Sequence, residues 1–309
     1  MNKSLLPPAL QQGDLVVILS PSSALADASL IDGAKRTLEG WGLRVRVADH
    51  ALDSFNHFAG TDVDRCSDFE AAMNDPEVKC ILCSRGGYGA SRMIDNFRNV
   101  DVSNNPKWII GFSDITALHA YVSVSDTCSL HAPMAKALAN SHSQKRILKN
   151  MHDILFGLKG MDYKVAAHPM NRVGTGCGRL FGGNLSLIYS LQGTPFQFPA
   201  DGAILFIEDL SEKVYHIDRM LMNLRLSGIL SRLNGLVVGQ FTDLVPNTGI
   251  GQSLEEIVMS KVADYGYPVC FNFPVGHVGR NFPMVEGALV ELSVSAEKVT
   301  LVQKEFYGK

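Results

Sequence analysis

Residues 14–124 alternate short apolar runs with segments whose apolar residues recur at helical spacing. This alternation restricts the fold more than any other feature of the chain. "DLVVILSPSS" (14–23) reads as a buried strand stopped by Ser-Pro-Ser, and "SLIDGAKRTLEGWG" (29–42) as a helix with a glycine stop. "LRVRVAD" (43–49) has the period-two alternation of a strand. "TDVDRCSDFEAAMNDP" (61–76) reads as a helix with cap-type residues at Thr61 and Asp62 and an end at Asp75-Pro76. A strand "VKCILCS" (78–84), a short helix "ASRMIDNF" (90–97), a strand "KWIIGFS" (107–113) and a helix "ITALHAYVSV" (115–124) follow. This order predicts a doubly wound parallel sheet with helices on both faces, whose sites lie at the carboxyl ends of its strands.

The pattern changes after one more helix, "NSHSQKRILKNMHDILFG" (140–157). Residues 158–178 are rich in turn formers. "GRLFGGNLSLIYSLQGTP" (178–195) reads as a glycine-rich turn, a helix and a second turn; "GAILFIEDL" (202–210) is a strand ending in acids. An amphipathic helix (214–230), a strand (233–241), a helix (253–266) and a run of strands and turns (268–303) complete the chain. We therefore expect an α/β protein. An N-terminal doubly wound domain would span 1–155, a linker 156–175, and a mixed, mostly β C-terminal domain 176–309.

The 309 residues are 46% hydrophobic and 19% charged, enough for a sizeable core. The formal net charge is −3 and Lys and Arg are scattered, so neither nucleic acid nor an acidic membrane surface is an expected partner. No run of 18 apolar residues suggests a membrane span, and the Pro pair and "QQGD" near the N-terminus break any signal-peptide core. The expected location is cytoplasmic. Cys80 and Cys83 have CxxC spacing, but no second pair and no nearby His follows them in sequence. They read as buried thiols, and no metal or cofactor is expected.

"SRGGYGAS" (84–91) puts three glycines after a strand. It lacks the spacing of a nucleotide loop, but its backbone N–H groups suit half of an oxyanion hole. Ser113 follows a strand and opens a helix, either as an ordinary cap or as a nucleophile on a tight turn, with Gly111 at −2 but Ile115 where a second glycine is usual. His277, in the glycine-rich "FPVGHVGRN", and His131, in "SLHAPM", could each serve as base; His119 and His216 read as helix residues. Glu208 and Asp209 end a very apolar strand, where a carboxylate is retained for a partner; Asp209 better suits a helix cap.

Taken together, "FAGTD" (58–62), "SRGGYGASR" (84–92), "GFSDITAL" (111–118), "LFGGNLSLI" (180–188), "GTPF" (193–196), "LFIEDLSEKVYHIDRML" (205–221) and "GHVGRNFPMVEGA" (276–288) run along nearly the whole chain in one order. In these motifs the chain resembles the L,D-carboxypeptidases that trim murein tetrapeptides, and their relatives the microcin-C self-immunity hydrolases. The resemblance implies a Ser-Glu-His triad, with Ser113 as nucleophile, Glu208 as orienting acid and His277 as general base. It also implies a homodimer without metal, acting on a small peptide. The amide of Asp114 and one from Gly86 or Gly87 would then bind the oxyanion; Arg85, Tyr88 and Arg280 are the candidate substrate contacts. His131-Ala132-Pro133 stands where the family often has His-Gly-Pro, and Phe282-Pro283-Met284 where it often has Leu-Pro; both bear on the pocket and neither on the triad. Two other readings are open. One is the same triad acting on an aminoacyl-nucleotide toxin, which should bring an aromatic-rich loop to stack a base. The other is a ligand-binding sensor without chemistry, in which Glu208 and His277 have no reason to converge.

Overall fold

The computed structural model describes residues 4–97, 100–245 and 249–307. The chain divides into two compact units, Met1–Gly160 with Phe282–Gly287, and Met161–Asn281 with Ala288–Lys309. In the first unit the strands are β1 (Leu15–Leu19), β2 (Arg44–Val47), β3 (Val78–Cys83), β4 (Trp108–Gly111) and β5 (Ser129–His131). The helices are α1 (Ser29–Gly40), α2 (Asp62–Asn74), α3 (Thr116–Ser123), α4 (Ala135–Ala139) and α5 (Lys145–Leu155). The strands are parallel in the order 2-1-3-4-5, the doubly wound arrangement expected, with its switch point between β1 and β3. β1 is buried along its whole length, whereas the edge strand β2 exposes both of its arginines. α2 begins in a capping box: Thr61 Oγ1 accepts from the Asp64 amide, and the Asp64 carboxylate accepts from the Thr61 amide. The short helix expected over 90–97 is instead a single 3-10 turn at Ala90–Arg92.

The second unit holds β6 (Asp162–Ala166), β7 (Gly174–Asn184), β8 (Ile204–Leu210), β9 (Gly235–Thr242) and β10 (Val269–Cys270), with α6 (Leu185–Ser190), α7 (Val214–Leu226) and α8 (Leu254–Val262). β11 (Met284–Glu286) then pairs antiparallel with β5 at the edge of the first sheet. β12 (Leu289–Val294) and β13 (Lys298–Gln303) complete a seven-stranded mixed sheet in the order β10-β9-β8-β7-β12-β13-β6. The glycine-rich stretch read as a turn is part of the eleven-residue strand β7. Its glycines are there for backbone proximity: a Cβ on Gly178 would stand 2.0 Å from the Gly202 carbonyl, and one on Gly182 2.0 Å from that of Phe206. β6 likewise lies inside the stretch read as a linker, where its pairing with β13 gives it the strand form. No helix among the described residues is long and apolar enough to cross a membrane.

Candidate active site

In the first unit three loops leave the carboxyl ends of β1, β3 and β4, as the parallel sheet requires. Ser113 directly follows β4 and Phe112 and takes a left-handed backbone conformation, φ +66°. A non-glycine residue there costs about 1–3 kcal/mol and persists only where the surroundings enforce it. A 3-10 turn over Ser113–Ile115 then leads into α3. Gly111 makes the turn possible, since a Cβ there would stand 2.7 Å from Ile115 Cγ1. Ile115 thus occupies the space that a glycine two residues before the serine leaves open. The glycine turn after β3 lies against the serine: a Cβ on Gly86 would be 3.0 Å from Ser113 Cβ, 3.2 Å from its Oγ and 3.3 Å from the Asp114 amide nitrogen. Gly87, φ +117°, faces Ser23 instead.

In the second unit Glu208 lies near the end of β8 and is fully buried. The pairing register of β8 and β9 slips between Ile207 and Asp209, with an extra β9 residue opposite Glu208. Gln240 of this irregularity holds the chain that leads to His277. Its amide donates to the Val275 carbonyl at 2.9 Å, and its Nε2 donates to Asn272 Oδ1 at 2.7 Å and to the Phe273 carbonyl at 3.1 Å. Gly276, φ +120°, admits no side chain, because a Cβ would stand 2.8 Å from Glu208 Oε2. Its amide donates to Asn281 Oδ1 at 2.9 Å. His277 then meets Glu208, with Nδ1 and Oε2 2.7 Å apart. Burial opposes a charge on this imidazole, but the hydrogen bond it donates to Glu208 and the charges of Glu208 and Asp209 outweigh it and raise its pKa. Asp209 is pushed up to about 6, first by burial, with the Glu208 charge adding to it. Its carboxylate accepts from Asn184 Nδ2 at 2.8 Å and from the Ser186 amide at 2.9 Å, so it fastens the start of α6 rather than the helix after it. Sequence reading missed the roles of Gln240, which lies in none of the quoted motifs, and of Asn184, which lies in "LFGGNLSLI" but was not singled out.

Family models described as the N-terminal and C-terminal domains of LD-carboxypeptidases match residues 16–132 and 177–292. A Bacillus subtilis protein named "Probable murein peptide carboxypeptidase" is 32% identical over 96% of this chain and 94% of its own. The chain belongs to the LD-carboxypeptidase family. The crystal structure of muramoyltetrapeptide carboxypeptidase from Oxalobacter formigenes, 25% identical, superposes with a TM-score of 0.83 over 94% of this chain and 99% of that one. The microcin C7 self-immunity protein MccF, in complex with aspartyl sulfamoyl adenosine, is 20% identical, with a TM-score of 0.82 over 97% and 99% of the two chains, and shares the fold.

The remaining candidates fall as follows. Arg85 donates from Nη1 to the Ala24 carbonyl at 3.0 Å and from Nε to its neighbour Gly86 at 3.2 Å, while Tyr88 is 50% exposed. Arg280 is exposed in the segment after His277. His131 is buried in β5, and His119 is buried in α3 between Ser129 Oγ at 2.8 Å and the Gly111 carbonyl at 3.0 Å. His216 lies on α7, 3.0 Å from Glu212. Cys80 and Cys83 are free and buried in β3, and burial pushes both thiols well up. Among the described residues, His50, Asp53 and Asp64 could bring three ligand atoms within 4.8 Å of one another, but Asp64 already serves the α2 capping box.

Proposed function

We propose that this family member is a serine carboxypeptidase that hydrolyses the L,D peptide bond before the terminal D-alanine of murein tetrapeptides. The observation that carries the reading is the buried Glu208 bonded to His277, in a chain that also holds Ser113 on a strained turn against Gly86. In this mechanism Ser113 Oγ attacks the amide carbonyl of the diamino acid while His277 Nε2 takes its proton. Glu208 receives the Nδ1 proton's hydrogen bond, fixes the tautomer and stabilises the imidazolium. The oxyanion is met by the Asp114 amide and that of Gly86 or Gly87; one such donor is worth about 3–4 kcal/mol of barrier. His277 then gives its proton to the leaving D-alanine amine. Water, deprotonated by the same histidine, hydrolyses the acyl-enzyme. Arg85 or Arg280 pairs the substrate's terminal carboxylate, with Tyr88 beside it. The cytoplasmic location expected from the N-terminal sequence and the homodimer implied by the family resemblance belong to the same reading, and light scattering on the eluted protein tests the dimer.

The test uses three peptides: the tetrapeptide, its L-alanine epimer and its C-terminal amide. A site that pairs a terminal carboxylate leaves a cation unpaired when the carboxylate is gone, and a pocket shaped for the D-methyl group obstructs the L-methyl group. The tetrapeptide should release alanine at least ~100-fold faster than the other two, a difference of roughly 2.7 kcal/mol. Equal rates for all three would refute a carboxypeptidase. Cleavage of an aminoacyl sulfamoyl nucleoside alone would transfer the site to the self-immunity chemistry.

A further inference from the structure

The side chain of Asp114 takes no part in those proton transfers, yet it is only 1% exposed. Its Oδ2 accepts from Ser22 Oγ at 2.6 Å and from the Ala90 amide at 2.8 Å. Its Oδ1 is buried with no hydrogen-bond partner among the described residues. A carboxylate so short of donors is costly to keep from water, and burial holds its carboxyl above the usual range. The two donors lie on different loops. Ser22 follows β1 and Ala90 follows β3, while Asp114 itself follows β4. Ser23 adds a second tie, accepting the Tyr88 amide at 3.1 Å. The β1 loop is itself anchored from α2, where Arg65 donates to the Pro21 carbonyl. Arg65 also lies over the Phe58 ring at 5.0 Å, and a Cβ on Gly89 would stand 2.6 Å from its Nη1. The glycine turn is therefore fastened at residues 88 and 90, on the far side of Gly86 from β3.

We propose that Asp114 is a positioning residue whose carboxylate bolts the glycine turn after β3 to the serine turn after β4, and so sets the Gly86 backbone against Ser113 Oγ. The inference rests on the reading of Ser113 as nucleophile. Donors aimed at a developing oxyanion act only when held in place beforehand, and a shift of about 1 Å costs on the order of 100-fold.

The experiment compares wild-type protein with D114N, D114A, S22A and S113A on the tetrapeptide. It adds a tripeptide whose C-terminal carboxyl is replaced by a boronic acid, which forms a tetrahedral adduct with a serine. D114N keeps the shape and one acceptor, so kcat should fall by about 10-fold with KM within about threefold. D114A should fall further, and S22A less than D114N. The boronate inhibition constant should rise in parallel with the loss of kcat/KM, because both read the oxyanion site. A merely structural role would lower the melting temperature while leaving kcat and boronate affinity of the folded protein unchanged. If D114A does not fold, D114N is decisive. Its kcat and boronate affinity within about twofold of wild type overturn the proposal. Near-normal turnover by S113A overturns the nucleophile reading instead.

Discussion

His277 is bonded through Nδ1 to a carboxylate that water does not reach, and the base of the proposed mechanism therefore starts from a raised pKa. A general base works deprotonated, so activity should rise with pH along an acid limb whose midpoint lies above the ordinary histidine value of about 6.5. Glu208→Gln removes the charge that raises it. The limb should move to lower pH while kcat drops by several orders of magnitude, and a pH profile of kcat/KM on both proteins reads the two effects together. An unmoved limb would mean that another group titrates. Ser113→Ala should keep the fold and reduce turnover toward the residual rate of binding and oxyanion contacts alone. Gly86→Ala probes the same place from the other side. Its new methyl group would press on Ser113 Cβ at 3.0 Å and crowd the Asp114 amide at 3.3 Å. We expect at least a ~10-fold loss of kcat with a melting temperature close to wild type, measured by steady-state kinetics and a thermal scan.

Among the elements, α3 is tied to the strand before the serine by His119, which reaches the Gly111 carbonyl at 3.0 Å. Burial holds this imidazole neutral, with a pKa down to about 4; the Glu286 carboxylate stands 3.9 Å away, beyond hydrogen-bond reach. The unfolded chain binds the proton below about 6.5 and the native one does not, so stability falls as pH drops from there toward about 4. Between pH 7 and 5 the wild type should lose about 2 kcal/mol more than His119→Gln, read from urea midpoints at both pH values. Equal losses would assign the acid sensitivity elsewhere. Much of this first unit was legible, because in β1, β3 and β4 the apolar run and the following turn residues are consecutive in the chain. β7 was not, because glycine signals a turn locally, whereas here it admits a neighbouring backbone carbonyl that only the folded sheet supplies. Glu208 and His277 lie 69 residues apart. The resemblance paired them; spacing could not. The Gln240 anchor that aims the His277 loop follows from a register slip between two strands, which has no one-dimensional mark.

At the scale of the molecule the chain passes between its two units three times, after Gly160, Asn281 and Gly287. The segment Phe282–Gly287 contains β11, which pairs Met284, Val285 and Glu286 with His131, Leu130 and Ser129 and is, among the described residues, the one antiparallel strand of the first sheet. It covers the edge of β5, and its Met284, Val285 and Glu286 are buried there. An uncovered, apolar sheet edge offers unpaired N–H and C=O groups to other chains. A fragment ending at residue 160 should therefore be deficient even though it contains every other strand of the first sheet. Joining residues 282–287 to it through a flexible Gly-Ser linker restores the edge at only a modest loop-closure cost. The joined fragment should elute as a monomer and unfold at a higher urea concentration than the bare one, which should elute as aggregate. Equal midpoints and equal elution would show that β5 does not depend on β11 and that the first unit folds without the returning strand.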